Sequence, residues 1–439
     1  MNFQESFLID AESPVHLSKH SFSHIASADL PDVWDDSVGG PCRAWPHVRP
    51  SWGHPLHRMM SRAGSFPPRL AHYLILGFSK PGDLVLDPFC GKGTTLLQAV
   101  LDHRNALGGD VAPDAIAVSR AKITPASVTE LEGYLDSINV QNCPLDGVSE
   151  DIRLFYHDDT LGQLLFIRSF LQSHMESDNE DKRRLATFLF GCLLGILHGH
   201  ASYSLSLPCS HTYAMAPQYV RRYASAHNLQ RPARDLKQCL LKKSRALLTQ
   251  GPVPANRASV FEGSAEKYTV NADGLLDDAV DLIVTSPPYL NAQTYAKDAW
   301  LRLWLMGHDF RDLQPSYLQT GSVIRYEQRM LPCLREMLNV LKPGASAFLV
   351  AGDVSRKVKH ETLRVATAEI LARTALQIEP IRGFVFEIQQ IIDDPSQART
   401  PYDFTSFKNK NRDNSQDSGF CRQAISRVVH LRKLPASAR

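Results

Sequence analysis

The sequence predicts an α/β fold with a mostly parallel sheet flanked by helices and interrupted by a mainly helical insertion. Two observations carry that expectation. Asp83 to Val111 reads as strand, glycine loop, helix and strand, the order of a βαβ unit. The same alternation stops near residue 127 and resumes only at Ala258-Ser259-Val260-Phe261. The 439 residues are about three domains' worth at ~150 residues each. An apolar share of 43% and a charged share of 21% exclude a mainly disordered or collagen-like chain. A net charge of +2 by itself identifies no partner.

Residues 1–45 are polar and scattered with Pro and Gly, and are expected to form a weakly structured lead-in. The next segment, 46–126, is the first part of the catalytic domain. In it Pro67-Pro68 opens a helix through Leu70, Leu74 and Leu76, and Lys80-Pro81-Gly82-Asp83 makes a turn. Asp83 to Asp87 is a short buried strand, Thr94 to Leu101 a helix and Ala106 to Val111 a second strand. Ser127 and Glu130 have capping-box spacing, predicting a helix to about Ile138. Residues 127–254 form the insertion, and 255–435 the second part of the catalytic domain. There a strand is expected at Val280–Thr285, a helix at Glu327–Leu341, a turn at Lys342-Pro343-Gly344 and a strand at Ser346–Ala351. A helix at Glu361–Ala375 and strands at Phe384–Ile388 and Arg427–Leu431 follow, separated by a polar loop at 393–419.

The longest nearly apolar run, Leu185 to Leu197, is shorter than the ~18 residues a membrane span needs, so it reads as a buried helix. The N-terminus shows no signal-peptide pattern. The eight cysteines contain no Cys-x-x-Cys, so a reducing cytoplasm is the simple expectation. Cys192, His198, His200, Cys209 and His211 lie close in sequence, but their spacing matches no common zinc finger, and no metal is expected.

Two short segments carry chemistry. The first is Asp87-Pro88-Phe89-Cys90-Gly91-Lys92-Gly93-Thr94, between a parallel strand and a helix, where α/β folds bind ligands. A phosphate-cradling loop would need a Gly five residues before Gly91, and a dinucleotide loop a third Gly at position 96, which is Leu96. A nucleoside-type cofactor remains. Asp110, at the end of the second strand, stands where such folds bind ribose hydroxyls, about 20 residues on from the first strand. The plainer account makes the glycines turn residues and Asp110 a helix cap. The second segment is Asp281 to Tyr289, where a buried strand runs into Ser286-Pro287-Pro288-Tyr289. Two prolines fix φ and remove two donors. That leaves a rigid loop with Ser286 and the Pro287 carbonyl as acceptors and Tyr289 as an aromatic plate. Such a loop suits an exocyclic amine on a flat base. An ordinary Pro-Pro strand ending would explain the prolines but not the Ser and Tyr around them.

Together these segments resemble the amino-methylating DNA methyltransferases. Asp87 to Thr94 is similar to their cofactor motif and Thr285-Ser286-Pro287-Pro288-Tyr289 to their catalytic motif. The His57–Leu74 segment, with Phe66-Pro67-Pro68, is similar to a third. The likeness covers roughly residues 55–122 and 260–350. It implies a Rossmann-like methyltransferase fold with a late antiparallel strand, and S-adenosyl-L-methionine held by Asp87, Pro88, Phe89, Cys90, Gly91, Gly93, Thr94, Asp110, Ser264 and Pro67. It also implies direct methyl transfer at Ser286, Pro287, Pro288 and Tyr289 to a base flipped out of double-stranded DNA. Ser at the first catalytic position is more typical of cytosine-N4 enzymes; adenine-N6 methylation is the alternative, and a DNA-binding subunit with a vestigial cofactor site a further one. The family usually has an acidic residue where this chain has Ser264 after Gly263. Ring-carbon methylation would need a cysteine nucleophile, and none of the Pro-Cys pairs at 41–42, 208–209 and 332–333 replaces Ser286. The family context is restriction–modification, with a cognate endonuclease as the partner it would bring.

Residues 217–257 hold nine Lys or Arg against one acid, in a chain whose total is only +2. Arg221, Arg222, Arg231, Arg234, Lys242 and Lys243, with Tyr219, Tyr223 and His227, make this segment the candidate DNA-binding region; a solvated basic face is the plainer account. Lys408, Lys410 and Arg412 make Tyr402–Asn414 a second candidate contact.

Overall fold

The computed structural model describes residues 22–49, 52–62, 64–209, 216–254, 257–268, 277–290, 295–318, 320–352, 354–358, 361–394 and 426–438. Eight strands form one sheet: β1 (His24–Ala26), β2 (Leu84–Asp87), β3 (Asn105–Asp110), β4 (Ala258–Glu262), β5 (Val280–Thr285), β6 (Leu341–Gly352), β7 (Phe384–Asp394) and β8 (Ser426–Pro435). Their spatial order is β1-β7-β8-β6-β5-β2-β3-β4. Every pairing is parallel except the two made by β8. This is the Rossmann-like methyltransferase arrangement, with the late antiparallel strand wedged between β6 and β7. Val85-Leu86, Leu282-Ile283-Val284 and Ala347 to Val350 are buried. They are near-continuous apolar runs because helices cover both faces of a parallel sheet.

On one face lie α1 (Pro68–Phe78), α2 (Thr94–Leu101) and α3 (Pro113–Ile123). The insertion follows as α4 (Val128–Asp136), α5 (Asp158–Met175), α6 (Glu180–Ile196), α7 (Pro217–Ala226) and α8 (Leu236–Leu247). Ser127 and Glu130 cap α4 reciprocally, Ser127 N–H donating to Glu130 Oε2 at 2.8 Å and Glu130 N–H to Ser127 Oγ at 3.3 Å. The insertion shares one core with the sheet: Phe188, Leu193 and Leu240 belong to the same cluster as Val85, Val284 and Phe348. Its long helix α6 packs on α3. Gly191 makes this possible, since a Cβ there would lie 2.3 Å from the Ala121 Cβ. The opposite face is covered by α9 (Val323–Val340) and α10 (Thr367–Leu376), through Met330, Leu334 and Leu371.

Three expectations are corrected. His24–Ala26, placed in the lead-in, pairs with Ile391–Asp393 as an edge strand of the sheet, and Val33–Asp35 pairs with Gly40–Cys42 as a hairpin. Glu361–Val365, expected to begin a helix, pairs with Val354–Val358, and α10 starts only at Thr367; its β-branched Thr362 and Val365 suit a strand. The Lys342-Pro343-Gly344 turn is absorbed into β6. Leu341 pairs with Val280 and Ser346 with Leu282, so the residues between bulge out. Lys342 reaches back to Asp281 at 2.5 Å. The loop at Tyr402–Asn414, with Lys408, Lys410 and Arg412, lies outside the described residues. Among the described residues no helix is long and apolar enough to cross a membrane.

Candidate cofactor and catalytic cleft

The carboxyl ends of β2 and β5 part at the point where the strand order reverses, the usual place for a ligand in an open α/β sheet. A cleft opens there with about 660 Å³ of space, counting its mouth. Pro88, Phe89 and Gly91 come to it from the loop after β2, Asp110 from the end of β3, Gly263 and Ser264 from the end of β4, and Ser286 and Pro288 from the loop after β5. Two loops about 190 positions apart thus share one wall.

The glycine loop owes its shape to backbone conformation. Gly91 and Gly93 have φ of +50° and +69°, where a side chain is strained. Gly93 caps α2, and a Cβ on it would come within 2.7 Å of Ser119 Oγ. Asp110 holds the loop: Gly91 N–H donates to its Oδ2 and Ala112 N–H to its Oδ1, both at 2.9 Å. Burial raises the Asp110 pKa, and the Arg62 guanidinium opposes the rise. Each carboxylate oxygen keeps a second lone pair for a further donor.

Several expected cofactor residues act behind the wall. Asp87 is 1% exposed; its Oδ1 accepts from Thr285 Oγ1 at 2.6 Å and from Phe89 N–H at 3.2 Å. Burial pushes its pKa up to about 7, with Thr285, Thr95 and the Phe89 amide opposing. Cys90 is buried, its thiol pushed well up by burial and donating to Ser119 Oγ at 3.7 Å. Thr94 is buried in the first turn of α2, and Pro67 precedes α1; neither lines the cleft.

On the catalytic side, Ser286 Oγ lies 3.1 Å from the Val350 carbonyl, 3.3 Å from the Tyr289 hydroxyl and 3.4 Å from the Gly64 carbonyl. Pro287 is buried. Tyr289 packs against Gly352, where a Cβ would meet its ring at 3.5 Å, so Ser286 and Pro288 form the exposed edge of this loop.

Residues not anticipated from the sequence complete the cleft: Arg62, Tyr295, Tyr317 and Leu318. Arg62 Nη1 donates to Asp114 Oδ2 at 2.6 Å. Burial works against its charge, but Asp114 and Asp110 outweigh burial and raise its pKa. Arg62 lies inside the His57–Leu74 segment already singled out, yet its partner Asp114 is 52 positions away, with no signal linking the two.

In the insertion, Arg221, Arg222 and Lys242 are exposed; Arg221 lies 3.3 Å from Asp151. Tyr219, Tyr223 and His227 stack along α7 with ring centroids 5.8 and 4.0 Å apart. Arg231 is exposed but donates to the Arg153 and Tyr156 carbonyls, and Arg234 is half-buried. Lys243 is a correction. It is 4% exposed, its ammonium donating to the Arg58 carbonyl at 2.9 Å and lying over the Tyr203 ring, so it is not available to a phosphate.

Residues 12–120 match the model of a family described as DNA methylase, the N6/N4 type. The chain is 31% identical over 85 residues to the type II methyltransferase M.MjaII of Methanocaldococcus jannaschii, covering 19% of this chain and 16% of that one. It is 39% identical over 77 residues to the type II methyltransferase M.MthZI of Methanothermobacter thermautotrophicus, covering 18% and 19%. The aligned stretches thus span less than a fifth of either relative. Among solved structures, the rRNA methyltransferase aviRa of Streptomyces viridochromogenes covers 85% of this chain and 89% of its own at 13% identity and a TM-score of 0.29. Over residues 12–120 the chain is similar to DNA methylases of the N6/N4 type, a likeness that supports S-adenosylmethionine as the cofactor.

Proposed function

We propose that the protein is a site-specific DNA methyltransferase that transfers a methyl group from S-adenosylmethionine to the N4 amine of cytosine. The observation that carries this reading is the meeting of Phe89, Gly91 and Asp110 with Ser286 and Pro288 in one cleft. The cofactor supplies an electrophilic methyl group on a positively charged sulfur. The residues fit it: a glycine loop without side-chain obstruction, a carboxylate with spare lone pairs for the ribose, and an aromatic Phe89 beside them.

Ser286 orients the target. Its proton is committed to a backbone carbonyl, most closely that of Val350. One lone pair lies toward the Tyr289 hydroxyl at 3.3 Å, which leaves the other to accept from an exocyclic amine, a donor, in the cleft. Pro287 and Pro288 have no N–H, so this edge of the loop offers no competing donor. Accepting the amine's protons turns its nitrogen lone pair toward the methyl group. With the cofactor bound, the amine nitrogen would take the methyl group as the sulfonium C–S bond breaks, and the amine would then lose a proton to water. No cysteine lines the cleft among the described residues, which favours direct transfer over a covalent ring-carbon mechanism. A base reaches this depth only if it leaves the duplex.

The exposed Arg221, Arg222 and Lys242 of the insertion are proposed to face the phosphates, with Arg231 and Arg234 behind them. Two relatives bear the name type II methyltransferase, which supports a restriction–modification role with a cognate endonuclease. The test is to incubate the protein with labelled cofactor and DNA of mixed sequence, then digest to nucleosides. N4-methylcytosine is the expected product. N6-methyladenine would assign the alternative base. Cofactor bound without any transfer would reduce the chain to a binding subunit.

A further inference from the structure

The hydrogen-bond ladder between β2 and β5 is short. It runs through Val85↔Leu282 and Leu86↔Ile283 and stops. On their outer sides the same strands stay paired further, to Asp87↔Gly108 and Thr285↔Leu349. The strands therefore separate just where the cleft opens. The gap is crossed by side chains. Thr285 Oγ1 donates to Asp87 Oδ1 at 2.6 Å, and Thr95 Oγ1, in the first turn of α2, donates to the Val284 carbonyl at 3.0 Å. Asp87, Thr95 and Thr285 are 1%, 0% and 0% exposed, and none lines the cleft. Asp87 and Thr95 flank the glycine loop at its two ends; Val284 and Thr285 immediately precede Ser286.

We propose that Thr285, Asp87 and Thr95 are positioning residues, a buried double clamp that fixes the distance between the cofactor loop and the catalytic loop. The inference rests on the methyl-transfer reading of the cleft. Its physical basis is geometric. The methyl donor is carried by one loop and the acceptor amine by the other, and the backbone ladder that would otherwise hold the loops in register has ended. Asp87 also accepts from the Phe89 amide, so the same carboxylate shapes the cofactor loop and ties it to the catalytic strand. Opening or sliding this joint leaves each loop intact and moves one against the other. A misplacement of about 1 Å between reacting groups costs on the order of 100-fold in rate.

The test is single-turnover transfer from saturating labelled cofactor to DNA, with cofactor affinity and thermal midpoint measured on the same samples. Thr285→Val keeps the shape and removes the donor. It is expected to slow transfer about 10- to 100-fold, with cofactor affinity within about 3-fold of wild type. Thr285→Ser restores the hydroxyl and is expected to restore the rate. Thr95→Val, which removes the bond to the Val284 carbonyl together with the Thr95 support of Asp87, is also expected to slow transfer, and it decides the matter if Thr285→Val does not fold. Transfer at the wild-type rate by a folded Thr285→Val, or cofactor affinity falling by the same factor as rate, overturns the clamp. Wild-type protein that moves no methyl group to any DNA overturns the functional reading itself, and the clamp with it; an active wild type confines the failure to the clamp.

Discussion

Asp110→Asn separates a ribose-binding carboxylate from a mere loop support. The carboxylate takes one backbone amide on each oxygen, Gly91 on one and Ala112 on the other, both at 2.9 Å. Asparagine has one acceptor oxygen, so its amide nitrogen must face one of these donors. The variant loses at least one hydrogen bond to a charged group, worth about 1.5–3 kcal/mol. It also loses the negative charge that would accept the ribose hydroxyls, a contribution of similar size. If the ribose share alone appears in binding, S-adenosylmethionine affinity falls about 10- to 150-fold, at 1.4 kcal/mol per factor of ten. Isothermal titration with S-adenosylmethionine and with S-adenosylhomocysteine, which carry the same ribose, should show the same loss for both. Thermal unfolding on the same preparations checks that the cleft is still formed. A folded variant that binds both ligands within about 2-fold of wild type would falsify the ribose assignment, leaving Asp110 as a loop support alone.

The parts of this molecule legible in the sequence are those whose physics is local. The strand–glycine loop–helix unit around residues 84–101 announces itself because two glycines must adopt positive φ just before a helix starts. The Ser127–Glu130 cap is a four-residue device and forms as expected. The place of Ser286 at the cleft is legible because two prolines mark the loop that carries it. What could not be read depends on distant pairs. Arg62 lines the cleft because Asp114 holds it, and Lys243 leaves the surface because the Arg58 carbonyl and Tyr203 meet it underneath. A charge run shows that a segment is basic but not which of its side chains turn inward. The short edge strand at His24–Ala26 is equally invisible locally, since its reason to exist is the open edge of Phe384–Asp394, far along the chain.

Ser286→Ala should lose most of the transfer rate while binding S-adenosylmethionine normally, because in the proposed reading the hydroxyl holds the amine and not the cofactor; normal turnover by this variant would remove Ser286 from the mechanism. Reversing the charges of Arg221 and Arg222 together should weaken DNA binding and lower the slope of log affinity against log salt by roughly one unit per lost phosphate contact. Lys243→Met should leave that slope alone and change only stability, since its ammonium is spent on the Arg58 carbonyl; a slope change equal to that of an exposed arginine would return Lys243 to the interface. The last prediction concerns pH. His72 sits 2.9 Å from Asp102 and 3.5 Å from Asp35, tying α1 to the start of the chain. Burial opposes its charge most strongly of any single cause, but hydrogen bonds and charge from Asp102 and Cys42 together outweigh burial and push its pKa up to about 10. An imidazole raised in the folded state binds its proton more tightly there than in the unfolded chain. Its contribution to stability is therefore complete below about pH 6.5 and fades as pH climbs toward about 10. The gap in unfolding free energy between wild type and His72→Gln should be widest near pH 6 and narrow steadily into the alkaline range. A gap that stays constant across that range would show that His72 contributes through packing alone.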